Sequence, residues 1–480
     1  MQRRITISES VSWLRGCVYS HIFPEGLFQY YKLSFGFHTP ATEFRIRDLY
    51  RQSNLFTLYT CLPELKYMRH AIAVSLIVAL ILPFVTMAQE KNIPDPLKLD
   101  RGVRAKTVDE WERIRRPEIR ELFSRLMYGY SPAPPELSYR ILSHDRDALD
   151  GKAIRKQVRV FFAPDTSVWM DILLYLPARA TSPAPVFLGM NFYGNQTVSK
   201  DPAILITPNW VSQNEVFGVE NNRATEASRG VRASRWPIER IIERGYGVAT
   251  VYYGDVDPDF DDGFKNGVHG LFDKGNRTES SWGSIAAWAW GLQRALDYLV
   301  TDADVDASKV AVMGHSRLGK AALWAGANDE RFAMVISNES GEGGAALTRN
   351  EKGESLEQIT TTFPHWFCSI YKSYAGRVND LPFDQHMLLA LIAPRPVYVA
   401  SAVEDLWADP EGEFLSAVYA EPVYKLYGQK GLGTRKMPAV GKPLHEGRIG
   451  YHLREGNHDL TAYDWEQFMN FADKQWHRAK

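Results

Sequence analysis

The chain has 480 residues, 45% of them hydrophobic and 24% charged. That is too apolar for a disordered polymer, and long enough for one large domain or two to three smaller ones. Lysine and arginine number 56 against 57 acidic residues, a net charge of −1, so no basic excess exists to neutralise a phosphate backbone and nucleic acid is not an expected partner. Aromatic residues make up 12%, with 13 tryptophans, a supply suited to packing on flat apolar faces such as sugar rings once the core has taken its share. The three cysteines, Cys17, Cys61 and Cys368, form no C-x-x-C pair, which excludes a zinc ribbon or a thioredoxin-type motif.

The first 88 residues read differently from the rest. Residues 1–67 show no sustained helical or strand period. At 68–88 the sequence is MRHAIAVSLIVALILPFVTMA: a short basic start, an apolar run and a small-residue end. This is the pattern of a secretory signal peptide cleaved after Ala88. The competing reading is a membrane anchor, because Ala71 to Ala88 is eighteen uncharged residues, the lower limit for a span. Pro83 and the cleavage-like end favour the signal. A signal peptide begins a chain, so Met68 is the expected start and 1–67 an upstream extension that is not native. The mature chain from Gln89 is then exported, with no stable membrane insertion after cleavage. It carries one cysteine, Cys368, so a large core rather than disulfides must hold it together.

In the mature part, Thr107-Val-Asp-Glu110 is a capping box opening a helix at Trp111. Pro117 is expected to kink or restart that helix, which continues through Leu122 and Leu126 and stops at Tyr130-Ser-Pro. Two alternating runs, Ile154–Phe162 and Val168–Leu176, read as an antiparallel pair. From there strands and helices alternate: strand Val186–Asn191, helix Trp236–Arg244, strand Tyr246–Tyr253, helix Ile285–Leu299, strand Val310–Met313, helix Leu318–Gly326, strand Ala333–Ser337. Strand Pro396–Ala402, strand Gly450–Arg454 and a closing helix Trp465–Trp476 complete the series. This alternation predicts one α/β domain over 89–480, with a doubly wound, mainly parallel sheet covered by helices on both faces. Residues 254–281 and 341–380 are long insertions, which in such a fold shape a binding site.

The chemistry centres on Lys309-Val-Ala-Val-Met-Gly-His-Ser316-Arg-Leu-Gly-Lys320. It is laid out as a strand, a sharp turn and a helix start, with Ser316 presented at the turn as a nucleophile elbow presents its hydroxyl. The usual second glycine would stand at 318. Here that residue is Leu318, and Gly319 follows. A serine needs a base, and the base an orienting carboxylate, in the chain order Ser, acid, His, each just past a strand end. His458 follows the last strand and Asp405 the penultimate one. Glu339, after the strand that follows the elbow, could reach the same histidine, so two acids compete for one role. Arg317 offers a backbone N–H and a guanidinium to a developing oxyanion. Lys320 sits in the first helical turn, where a cation opposes the helix dipole; it reads either as a donor to substrate hydroxyls or as an exposed helix lysine. Asp257-Pro-Asp-Phe-Asp-Asp262 could bind calcium but is expected to be a solvated loop. No metal and no cofactor are expected.

These residues resemble the glucuronoyl esterases, carbohydrate esterase family 15. The resemblance is carried by Gly314-His-Ser-Arg-Leu-Gly-Lys320, Asn338-Glu-Ser-Gly-Glu-Gly-Gly344, Phe363-Pro-His-Trp-Phe367 and Ala400-Ser-Ala-Val-Glu-Asp-Leu-Trp-Ala-Asp-Pro410. It extends to Asn191-Phe-Tyr-Gly-Asn-Gln-Thr197 and Tyr252-Tyr-Gly-Asp-Val-Asp-Pro258, and so spans about 190 to 460. It implies an α/β-hydrolase that cleaves the ester between 4-O-methyl-glucuronic acid on xylan and lignin alcohols. It also implies Ser316 as nucleophile, His458 as base, Arg317 as oxyanion stabiliser, Lys320 on the sugar hydroxyls and Trp407 against the sugar ring. Asp405 stands where bacterial-type members place the acid and Glu339 where fungal ones do; Asp405 is favoured, with Glu339 as a helper. Gln358 and Trp366 are further substrate-binding candidates. A monomer acting on a lignin–carbohydrate ester is the expectation. The competing readings are an esterase for another acyl group, such as acetyl xylan, and a catalytically silent carbohydrate-binding protein on the same fold.

Overall fold

The central elements form where the side-chain pattern lets the backbone bury a face. The structure, a computed structural model, describes residues 92–162 and 166–476; the segments 1–67 and 68–88 lie outside the described residues. Residues 88–480 group as one unit.

Thr107 caps the first helical run by accepting from Glu110 N at 3.1 Å, while Glu110 accepts from Thr107 N at 3.2 Å. The run passes through a wide i→i+5 turn at Trp111–Arg115 into α1 (Arg116–Phe123), which has Pro117 in its first turn. Pro117 lacks an N–H, and the widened turn ahead of it lets the helix continue where a kink or restart was expected. Next come β1 (Ser138–Asp147), β2 (Ala153–Phe161), β3 (Trp169–Pro177) and β4 (Ala184–Asn191). A small ribbon of β5 (Val219–Glu220) and β6 (Arg223–Ala224) follows. Besides short helical turns, the chain goes on through α2 (Ile238–Glu243), β7 (Gly247–Tyr252), α3 (Ser284–Leu299), β8 (Val305–His315), α4 (Arg317–Asn328), β9 (Met334–Asn338), α5 (Leu356–Thr362), α6 (Gln385–Ala390), β10 (Val397–Ala402), α7 (Pro410–Leu426), β11 (Ile449–Arg454) and α8 (Ala462–Gln475).

Among the described residues the main sheet has nine strands in the order β1-β2-β3-β7-β4-β8-β9-β10-β11. The strands from β7 to β11 along this order run parallel, and β1, β2 and β3 add antiparallel pairs at one edge. The pair of β2 and β3 is the one the alternating runs announced. Side chains of β8 alternate between two cores: Val310 and Val312 face one, Ala311 and Met313 the other. This period of two is what a strand buried on both faces requires. The first core holds Trp288 and Leu292 of α3, Leu323 of α4 and Val423 of α7. The second holds Ile241 of α2 and Trp465 and Phe468 of α8. Helices therefore cover both faces, as the α/β-hydrolase reading expects.

The chain leaves β4 toward β7 on one side, and β8 toward β9 on the other. The gap between neighbouring β4 and β8 is thus a topological switch point, where crossovers diverge and leave a crevice at the carboxyl ends of the strands. β8 ends in that crevice. Among the described residues no helix is long and apolar enough to cross a membrane.

Candidate active site

At the end of β8 the backbone turns at Ser316, with φ +58° and ψ −131°. A side chain rarely adopts this conformation, and holding it costs about 1–3 kcal/mol. Its neighbours fix it: Ser316 N donates to Asn338 O at 2.9 Å, and Gly319 N to Ser316 O at 2.8 Å. A Cβ on Gly314 would lie 2.0 Å from the Leu318 carbonyl oxygen, so only glycine fits there. A Cβ on Gly319 would meet Ser340 Cβ at 3.0 Å. The second small residue of the turn is therefore needed at 319, and Leu318 is free to enter the core, where it is 1% exposed.

His458 lies beyond β11. Its Nδ1 is 2.6 Å from Asp405 Oδ2 and 3.3 Å from Glu339 Oε2. A proton on Nδ1 is thus held by carboxylates, which leaves Nε2 as the basic nitrogen. Asp405 follows β10 and also accepts from Ala408 N at 3.4 Å. Glu339 follows β9, with φ +47°; it pairs with Arg454 and accepts from Asp459 N at 2.9 Å. Burial pushes the Glu339 carboxyl up against the pull of Arg454, and Asp464, Asp405 and Glu413 push the same way as burial. Both acids are therefore present, with Asp405 the nearer to His458. Behind the base lies His315, its ring 4.5 Å from that of His458 and its Nδ1 2.7 Å from Asn338 Oδ1. Burial and the nearby His458 drive the His315 pKa well down, so the two rings do not compete for positive charge.

Ser316, His458, Asp405 and Glu339 share one cavity of about 310 Å³ with Arg317, Lys320, Glu354, Phe363, Trp366 and Trp407. Larger hollows of about 770 Å³ near Pro177–Pro185 and about 800 Å³ near Asp145–Asp150 are lined without a histidine.

Arg317 pairs with Asp259. Its guanidinium lies 4.7 Å from the Trp366 ring centre and 5.4 Å from that of Phe363, and those two rings stack at 3.7 Å. Asp259 also accepts from His365 Nε2 and Trp366 Nε1, each at 2.8 Å, and from the Tyr253 hydroxyl at 3.2 Å. Burial would raise its pKa; the bonds from His365 and Trp366 and the charge of Arg317 win and hold it at about 2. The loop at 257–262 is solvated, as expected, at Phe260 and Asp261, but not at its first two acids. The Asp257 and Asp259 side chains are 5% and 4% exposed, because each meets a buried histidine: His269 at 3.5 Å for Asp257, and His365 for Asp259.

Lys320 is buried, which excludes an exposed helix lysine. Its Nζ donates to Ser340 O and to Glu342 O, the latter at 2.6 Å. Burial lowers its pKa. Glu354 was not anticipated from the sequence. Burial raises its pKa while Lys320 and Arg317 oppose, and the Trp407 side chain donates to it. Trp407 is 56% exposed at the cavity rim, whereas Trp366 is buried within the cavity wall. Gln358 is not in that wall. It closes the capping box of α5, accepting from Ser355 N at 2.8 Å. Among the described residues, Glu339, Asp405 and His458 are the one group of His, Cys, Asp and Glu whose ligand atoms come close enough to share a metal, and those atoms already face one another.

A doubly wound sheet with a strained serine after one parallel strand, an acid after the penultimate strand and a histidine after the last defines an α/β-hydrolase. A family model described as "Glucuronyl esterase, fungi" matches residues 235–428. The carbohydrate esterase MZ0003, from an unknown prokaryotic organism, is 51% identical over 387 residues, covering 80% of this chain and 89% of its own. Two solved structures are each 50% identical with a TM-score of 0.76 and cover 80% of this chain: a promiscuous CE15 esterase from a marine bacterial metagenome, covered to 97%, and a glucuronoyl esterase from Solibacter usitatus, covered to 98%. The chain belongs to carbohydrate esterase family 15, the glucuronoyl esterases.

Proposed function

We propose that this protein is an exported serine esterase that hydrolyses esters of 4-O-methyl-glucuronic acid, such as those joining glucuronoxylan to lignin alcohols. Family membership supports the reaction class. The observation that carries the roles is the His458–Asp405 hydrogen bond at 2.6 Å, in the cavity that also holds Ser316.

In the proposed reaction, Ser316 Oγ attacks the ester carbonyl carbon and its proton passes to His458 Nε2. Asp405 holds the opposite nitrogen and steadies the imidazolium. The carbonyl oxygen becomes an oxyanion facing Arg317. As the carbon–oxygen bond to the alcohol breaks, His458 returns the proton to the leaving oxygen. The glucuronoyl group is then an ester on Ser316. Water, deprotonated by His458, attacks it; as the bond to Ser316 Oγ breaks, His458 returns the proton to that oxygen, and the released glucuronic acid ionises to its carboxylate. The substrate ester is neutral and charge appears only along the path, so the Arg317 cation is spent on the transition state rather than on the ground state. Lys320, Trp366 and Trp407 are the residues proposed to meet the sugar. Export rests on the apolar segment at 68–88, and N-terminal sequencing of the secreted protein tests it: a start at Gln89 is expected.

Comparing hydrolysis of benzyl glucuronate with that of p-nitrophenyl acetate tests the substrate class. Turnover favouring the glucuronate is expected. A preference for acetate would move the protein to acetyl-ester chemistry. Xylan binding without turnover of either ester would make it a binding protein on this fold.

A further inference from the structure

We infer that Asp259 is a positioning residue for Arg317: a buried carboxylate that fixes the guanidinium beside the nucleophile before charge forms. The inference rests on the esterase reading above and extends it to a residue outside the Ser–His–acid set.

A free arginine side chain is a poor oxyanion donor because its long stem samples many rotamers, whereas a preorganised donor has already lost that freedom. Arg317 needs an anchor. Its Nε is buried without a hydrogen-bond partner. Its flat faces rest near Trp366, Phe363 and Phe192, which restrict tilt but allow sliding. Directional hold comes through Nη1, paired with Asp259 Oδ2.

Asp259 is itself fixed. Its Oδ1 accepts from His365 Nε2 and Trp366 Nε1, and its Oδ2 accepts from Arg317 Nη1 and the Tyr253 hydroxyl. One oxygen therefore faces the insertion at 341–380 and the other faces the elbow. This division separates a positioning role from a purely structural one. In Asp259→Asn, the donors on His365 and Trp366 orient the amide oxygen toward themselves. The amide NH₂ then faces Arg317 Nη1, donor against donor, while the Tyr253 hydroxyl can turn to accept from it. The tie between the two insertions survives while the hold on Arg317 is lost.

The test is a double-mutant cycle on the full chain with a glucuronate ester, separating kcat from KM. D259N is expected to lower kcat about tenfold to hundredfold with KM within about threefold, since a donor displaced by roughly 1 Å loses that much. Arg317→Gln is expected to cost about 10²–10³ in kcat. In the double variant the D259N loss should shrink to about twofold, because a residue acting through Arg317 has nothing left to act on. Losses that multiply, or a D259N kcat within about twofold of wild type beside an impaired R317Q, overturn the inference and leave the esterase reading intact. An R317Q variant with full kcat overturns the inference together with the proposed role of Arg317. Should D259N fail to fold, Asp259→Glu retains the charge and carries the same cycle: a lower kcat that R317Q masks supports the role, and a wild-type kcat overturns it.

Discussion

The proposed nucleophile and base occupy positions dictated by strand ends, so their neighbours rather than their own identity set their reactivity. Ser316 is strained by its backbone, and Ser316→Ala keeps that backbone. We expect S316A to lose turnover entirely with a thermal midpoint within about 2 °C of wild type, read by calorimetry. Asp405→Asn should cost about 10²–10⁴ in kcat, because the amide can present an N–H to Nδ1 and favour the unproductive tautomer; steady-state kinetics on a glucuronate ester reads it. Glu339, 3.3 Å from the same nitrogen, still supplies a carboxyl oxygen to it, which favours the lower end of that range. Ser316, His458 and Asp405 were legible because each stands within four residues of the end of a strand that the hydrophobic pattern locates. Asp259 and Glu354 were not. Each sits in an insertion where no periodicity fixes what it will meet, and an acidic loop reads as solvated until the cations around it are known. Gln358 is the reverse case. The Ser355-x-x-Gln358 capping box that assigns its side chain to the helix end was present in the sequence.

At the scale of elements, the β8–α4 turn works only because two small residues let the helix start press against the strand. Gly314→Ala would drive a Cβ to 2.0 Å from the Leu318 carbonyl oxygen, a backbone atom that cannot rotate away. We expect a loss of about 1–3 kcal/mol, seen as a lower denaturant midpoint, and a fall in kcat as Ser316 shifts. The strands of the parallel sheet were legible because burial on both faces makes them continuous apolar runs. β1 escaped because its residues, Ser138–Asp147, are exposed or half-exposed throughout and carry no buried face to announce it. α7 escaped for a different reason. Its 17 residues begin at Pro410 and include Gly412 and Pro422, breakers by propensity, yet Phe414, Ala417 and Val423 bury its inner face in the core. Tertiary packing outweighs propensity there, and Glu413 travels with it into the interior.

Across the whole molecule, several carboxyls are buried near the carboxyl edge of the sheet, and they make stability depend on pH in a direction opposite to the common one. Glu413 accepts from Ser340 N, Gly341 N and Ser401 Oγ, and burial nevertheless pushes it up to about 8. Burial does the same to Glu342, also to about 8, and takes Asp255 to about 7. In the unfolded chain such groups titrate near 4.5 for Glu and 3.8 for Asp. Between those values and the raised ones the folded protein keeps protons that the unfolded chain has released, so stability falls as pH rises through that window. Below pH 6.5 two histidines oppose this. Burial lowers His386 to about 4 and lowers His315 well below its usual value, so each adds stability as pH climbs toward 6.5. Above 6.5 these two histidines no longer contribute, and the carboxyls are joined by His269, where burial is outweighed by Asp257 and Asp273, which raise the pKa, so that its contribution also falls as pH rises. From about pH 6.5 to 8 a single group with a folded value near 8 removes at most about 2 kcal/mol. We therefore expect the thermal midpoint to decline across that interval. Glu413→Gln mimics the protonated side chain and should flatten the decline, with the variant gaining on wild type as pH rises. Calorimetry at several pH values reads both slopes; an unchanged slope in E413Q would mean that Glu413 is already ionised in the folded protein at neutral pH.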